Sequence, residues 1–119
     1  MRRILFSVCI IVGMAACKSK EQPLPINDMK VIMWDLMKAD EWFTVRSSKD
    51  STLLKKNEHI RLYEQVFLIH GVTRTKFYTS YAHYEAHPGE MKTLLDSVNL
   101  YSERERQKMF EHNYGQKKQ

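Results

Sequence analysis

The sequence predicts an all-α fold, a small bundle of about four helices reached through a short tether that follows a cleaved leader. Three observations predict it. Apolar residues recur at three- and four-residue spacing along most of the chain beyond residue 28, the pattern of amphipathic helices. Helix start and stop signals separate those stretches, at Asp28, Gly71, Thr73 and Pro88. No segment alternates convincingly as a strand would, and helices joined by short connections pack as a bundle.

Met1, Arg2 and Arg3 precede an apolar run from Ile4 to Val12, followed by Gly13, Met14, Ala15, Ala16 and Cys17. Lys18, Ser19, Lys20 and Glu21 then turn the chain polar. This is the order of a secretory signal, and the run is too short to span a bilayer, which takes roughly 20 residues. Ala15 and Ala16 admit the backbone to a peptidase cleft in extended form, and the Cys17 thiol is the nucleophile that accepts a diacylglyceryl group. The motif resembles the bacterial lipobox, with Met14 where Leu is commoner. Residues 1–16 therefore read as a lipoprotein signal peptide and Cys17 as the lipidated first residue of the mature chain.

An ordinary signal peptide with an incidental Cys17 is the alternative. The cysteine usage argues against it, because Cys9 lies in the discarded leader and Cys17 is left without a disulfide partner in an oxidising compartment. More than one acyl chain on one residue anchors stably where a single chain is marginal. The expected location is the cell envelope, tied to the bilayer through acylated Cys17. Lys18 rather than Asp after the cysteine points to the outer membrane by resemblance to known sorting rules.

Removing residues 1–16 from the 119 leaves 103, enough for one domain with a modest core. The loss of Arg2 and Arg3 lowers the formal charge from +5 to +3. The remaining basic residues are dispersed and the chain is exported, so nucleic acid is not an expected partner.

Residues 17–27 contain Pro23 and Pro25 and read as the tether. The helical domain is expected over 28–112. Asp28 is placed to cap a helix over 29–46, which ends at Ser47 and Ser48. A second helix follows from residue 51 or 53 to 70, with Gly71 as the left-handed residue beyond its end. Thr73 is the next N-cap, and Val72 and Phe77 form a hydrophobic staple across it. That third helix runs to Ala86, because His87 precedes Pro88 and is pushed out of helical geometry. Pro88 suits the first turn of a fourth helix carrying Met91, Leu94, Leu95, Val98 and Tyr101 at helical spacing. Residues 113–119 are expected to be a disordered tail.

Asp35, Leu36, Ala39 and Asp40, then His70, Gly71, Val72, Thr73, Phe77, Ser80, Tyr84, Pro88, Leu94 and Val98 follow the lipobox and the proline-containing tether. In this order they resemble the small bacterial lipoproteins of the domain-of-unknown-function family 4296. The likeness spans roughly residues 23–101. It implies a helical envelope lipoprotein and attaches no activity to it.

Projected at about 100° per residue, the first helix gathers Met29, Met33, Leu36 and Phe43 in one stripe, with Ile32 at its edge. Asp40 falls inside that stripe, as a buried acid satisfied by a tyrosine hydroxyl, an Arg or a helix end. Asp35 falls near the boundary, as a solvated or capping carboxylate. Val31, Trp34, Trp42 and Val45 form a second apolar side, interrupted by Lys38. A helix apolar on two sides is either sandwiched or presents a contact surface. Trp34 and Trp42, with Val31 and Val45, are therefore the candidate interaction residues.

Phe77, Ser80, Tyr81 and Tyr84 share a core face, with Tyr78 off it. His83 and His87 have a metal-compatible spacing, but His87 abuts Pro88 and no carboxylate is marked out to complete a site, so no metal is expected. Ser80 lacks a nucleophile elbow and a His–acid pair. Glu103 to Lys108 reads as a solvated helix with local ion pairs. No catalytic motif and no cofactor-binding segment emerges. The expectation is a non-enzymatic helical lipoprotein that holds an envelope protein partner. The rivals are a small hydrolase or lyase using Asp40 with a nearby tyrosine such as Tyr81 or Tyr84, and a lipid-binding surface module. Intact mass of the native protein is expected to show Cys17 as the first residue, carrying diacylglycerol through its sulfur; a free thiol or a retained Met1 overturns the anchor.

Overall fold

A computed structural model describes residues 22–115, and there every regular element is a helix: α1 Ile26–Ser47, α2 Thr52–Lys55, α3 Glu58–Ile69, α4 Arg74–Ala86 and α5 Pro88–Gly115. The all-α expectation holds. The leader, Cys17 and residues 116–119 lie outside the described residues. No helix among the described residues is long and apolar enough to cross a membrane.

The first helix starts earlier than Asp28 predicts. Pro25, extended at φ −64° and ψ 156°, is the N-cap, and its carbonyl accepts from the Asp28 and Met29 amides at 3.0 Å each. Proline fits this position because its fixed φ sets the chain for a helix and its missing N–H is not needed there. Asp28 instead places its charge in the first turn, where the helix dipole favours an anion.

The single helix expected over residues 51–70 is two. Asp50 accepts from both the amide and the hydroxyl of Thr52, which starts the short α2. Asn57 then takes a left-handed conformation at φ 51° and interrupts the ladder before α3. Asn tolerates that region better than most residues because its short polar side chain stabilises the backbone locally. Periodicity alone does not register such a break.

The end of α3 is as predicted. Gly71 sits at φ 62°, its amide reaches Leu68 O at 3.1 Å, and the Val72 amide reaches Phe67 O at 2.9 Å. These two bonds form a Schellman motif, which consumes carbonyls the helix end leaves open. Thr73 caps α4 by accepting from the Lys76 amide at 3.1 Å. Val72 and Phe77 both join the core, as the staple requires. Pro88 opens α5, which continues three residues beyond His112.

The core takes Met29, Ile32 and Leu36 from α1, Val66 and Phe67 from α3, Phe77 and Tyr84 from α4, and Leu94 and Val98 from α5. Contacts along α1 set the directions of its neighbours. Phe43 meets His59, Asp40 meets Tyr63 and Asp35 meets His70, so α3 runs antiparallel to α1. Lys30 lies over Tyr101 and Arg106 over Trp34, so α5 runs parallel to it. The sequence makes this possible because the chain returns through α3 and α4 before α5 sets out again.

The segment before α1 is more than a leash. The Leu24 amide donates to Ser80 Oγ at 2.8 Å, the Tyr84 hydroxyl donates to Leu24 O at 2.7 Å, and Lys76 Nζ donates to Gln22 O at 2.5 Å. Ser80 is buried and its own hydroxyl donates to Lys76 O at 2.7 Å. The strap, half-buried at Pro23 and Leu24, thus has the backbone polar groups of Leu24 satisfied by α4 side chains.

Leu94 is fully buried, and Leu94→Ala is expected to cost about 3 kcal/mol in urea unfolding through lost burial and a residual cavity. Ser80→Ala, nearly neutral in volume, is expected to cost about 1 kcal/mol because the part-buried Leu24 amide loses its acceptor.

Candidate interaction surface

The two apolar sides of α1 have different fates along the helix. At its middle, Trp34 is sandwiched and only 5 % exposed. About two to three turns beyond, Trp42 is 43 % and Val45 52 % exposed. Trp34, Trp42 and Val45 line one groove of about 530 Å³ between α1 and α5, together with Met109. Of the four predicted interaction residues the structure unites these three. Val31 does not join them: it is half-buried and lines a separate concavity with Ile32, His70 and Val72.

The groove is framed mainly by cations. Lys38 Nζ lies 5.7 Å and Arg106 Cζ 5.3 Å from the Trp34 ring centroid, and Arg46 Cζ lies 5.0 Å from that of Trp42. Each such contact at an exposed site contributes about 0.5–1 kcal/mol. Glu41 is the one acid in the lining. Arg106 is the residue that sequence reasoning missed. It lies in the charged run read as a solvated face, and Lys108 does pair there with Glu105 at 2.8 Å. Only the parallel packing of α5 on α1 turns Arg106 onto an indole.

Asp40 requires a correction. The stripe predicted to bury it is fully buried only at Met29, Ile32 and Leu36; Phe43 is half-buried and Asp40 is exposed. Facing it is the first half of α3, whose Tyr63 hydroxyl lies 2.8 Å from both carboxylate oxygens. The tyrosine on Asp40 is thus neither Tyr81 nor Tyr84; Tyr84 is engaged with Leu24 O. Burial, and then the hydrogen bond and charge of Asp40, push the Tyr63 hydroxyl up to about 12.

Asp35, not Asp40, is the part-buried carboxylate of α1. Its Oδ2 lies 2.7 Å from His70 Nε2 and its Oδ1 2.6 Å from Lys38 Nζ. Burial pushes its pKa up, but the hydrogen bonds from Lys38 and His70 outweigh that and hold it below the ordinary value of 3.8. The pairing joins the middle of α1 to the cap of α3 and places Lys38 at the groove.

On the remaining face the predictions hold: Phe77, Ser80 and Tyr84 are buried, Tyr81 is half-buried and Tyr78 is exposed. His83 and His87, set aside as ligands for want of a carboxylate, have Glu90 beside them.

These features define a class, a small helical bundle with a cation-framed aromatic groove at one end and a polypeptide strap at the other. The chain belongs to the family described as Domain of unknown function (DUF4296), whose pattern matches residues 21–108. No curated protein and no solved structure matches the chain.

The lowered pKa of Asp35 fixes a pH dependence. A carboxyl depressed in the folded state stabilises the protein above its unfolded pKa, and that contribution disappears as pH falls through the folded value. Asp35→Asn is therefore expected to lower unfolding free energy by about 1 kcal/mol at pH 7. The gap to the wild type is expected to narrow below the ordinary aspartate value of 3.8, as read by urea titrations at pH 7 and pH 3.

Proposed function

We propose that the chain is a lipid-anchored, non-enzymatic accessory protein of the bacterial cell envelope, held in the outer membrane through acylated Cys17, and that its α1–α5 groove holds another envelope protein. The observation that carries this reading is exposed Trp42, with Arg46 over its ring, beside exposed Val45 in a groove that the fold leaves uncovered. Tryptophan and arginine are the side chains most often found at the energetic centre of protein interfaces. The partner is expected to present apolar side chains flanked by carboxylates, since Lys38, Arg46 and Arg106 outnumber Glu41 around the groove.

Position supports a protein over a lipid headgroup as the occupant. Five residue steps separate Cys17 from Gln22, and an extended chain spans at most about 17 Å over that number. The docked strap thus keeps the α4 side of the bundle near the anchor. Trp42 stands 16 residues along α1 from Ile26, about 24 Å away along the axis. The groove is then at the end of α1 remote from the anchor.

A photo-crosslinking residue at position 42 or 45, in cells producing the acylated chain, is expected to capture one discrete envelope protein. The same residue at Val31, on a separate concavity, is expected to capture none. Capture lost in Arg46→Glu with helicity intact supports an acidic partner. Crosslinks to phospholipid alone, or to nothing, overturn the proposal in favour of a membrane-surface module or of a groove without a ligand.

A further inference from the structure

The junction of α4 and α5 gathers donors that the sequence leaves apart. Pro88 ends α4 by forcing His87 to φ −125° and ψ 83°, and the chain reverses at once into α5. The reversal sets the first turn of α5 beside the last turn of α4. Glu90 Oε2 consequently lies 3.1 Å from His83 Nε2. His87, although outside the helix, folds back so that its ring stacks on that of His83, with centroids 4.2 Å apart. One ligand atom from each of His83, His87 and Glu90 lies within 4.8 Å of the others.

The protonation geometry suits a metal. His87 Nδ1 lies 2.7 Å from the His83 carbonyl oxygen. A carbonyl only accepts, so Nδ1 carries the hydrogen, and in the neutral ring Nε2 keeps a free lone pair. An imidazole whose second nitrogen donates to a backbone carbonyl is the usual arrangement of a metal-bound histidine, because that bond fixes both tautomer and ring orientation. His83 Nε2 and Glu90 are already close partners, and a cation between them takes the place of the proton they share.

We infer that His83, His87 and Glu90 form a binding site for a borderline divalent metal ion of the zinc class, at the α4–α5 junction. Two imidazoles and one carboxylate are a donor set that favours such ions over magnesium or calcium, which require mostly oxygen. Bonds of about 2 Å are reached by small side-chain rotations, because all three groups keep access to solvent. The two histidines also line a groove of about 610 Å³ with Gln22 and Pro23 of the strap. Three protein ligands thus leave a further coordination position facing open space, for water or an exogenous ligand. The ion ties α4 to α5 next to the segment that leads to Cys17, at the opposite end of α1 from the aromatic groove, and the site is independent of the interaction proposed there.

Calorimetric titration of the full acylated chain in detergent with Zn²⁺ tests the site. One ion per chain is expected, with affinity reduced about tenfold or more in His83→Ala and His87→Ala, reduced less in Glu90→Gln, and unchanged in His59→Ala. Mg²⁺ is expected to give no signal. As a check that needs no variant, Zn²⁺ is expected to protect His83 and His87 of the wild type from diethyl pyrocarbonate, while His59 stays reactive. Undiminished binding by a His83→Ala/His87→Ala double variant, or equal protection of all histidines, overturns the site.

Discussion

The structure depends on the need of α1 to bury apolar surface on more than one side. Met29, Ile32 and Leu36 recur at three- and four-residue intervals and share the core with Val66, Phe67, Leu94 and Val98, while Trp34, off that stripe, meets Arg106 further along α5. A helix of this kind cannot be a bundle's outer wall without leaving side chains in water. The answer is an antiparallel partner, α3, and a parallel partner, α5, with α1 between them over its first half. Beyond Lys38, α3 still meets α1 at Asp40 and Phe43, but the side facing α5 is only partly covered, and Trp42 and Val45 come to the surface there.

Polar groups then decide how tightly the parts are joined. Ser80 and Tyr84 sit on the buried face of α4, and both are satisfied by the backbone of Leu24 or of their own helix. The residue types that look like a plain aromatic stripe therefore also fasten the chain leading to α1. In the same way Asp35 and His70 link the middle of α1 to the turn where Gly71 ends α3. These are hydrogen bonds between elements far apart in sequence, that of Asp35 strengthened by its charge, so they fix the relative placement of helices that apolar packing alone would let slide.

One proline has effects at two levels. Pro88 terminates α4 and begins α5, which is local stereochemistry. By reversing the chain at once it also overlays the last turn of α4 on the first turn of α5. His83 and His87 are four apart in a helix that stops between them, and Glu90 enters from the other side. The residue that removes His87 from the helix is the one that brings the carboxylate.

Sequence by itself determined the helical class, the Gly71 and Thr73 caps, the Pro88 boundary and the core face of α4, because each follows from interactions within a few residues along the chain. It also carried the family likeness and marked Trp42 and Val45. The N-cap at Pro25 and the break at Asn57 escaped it, since more than one residue nearby was able to serve and periodicity does not choose. Tertiary structure alone decided that Trp34 is covered by Arg106, that Asp35 rather than Asp40 is the sheltered acid, and that Glu90 stands beside two histidines. Those outcomes depend on which helix lies against which, and in which direction, and a side chain's exposure and charge environment come from distant neighbours, as Arg106 is to Trp34, 72 positions away in the chain.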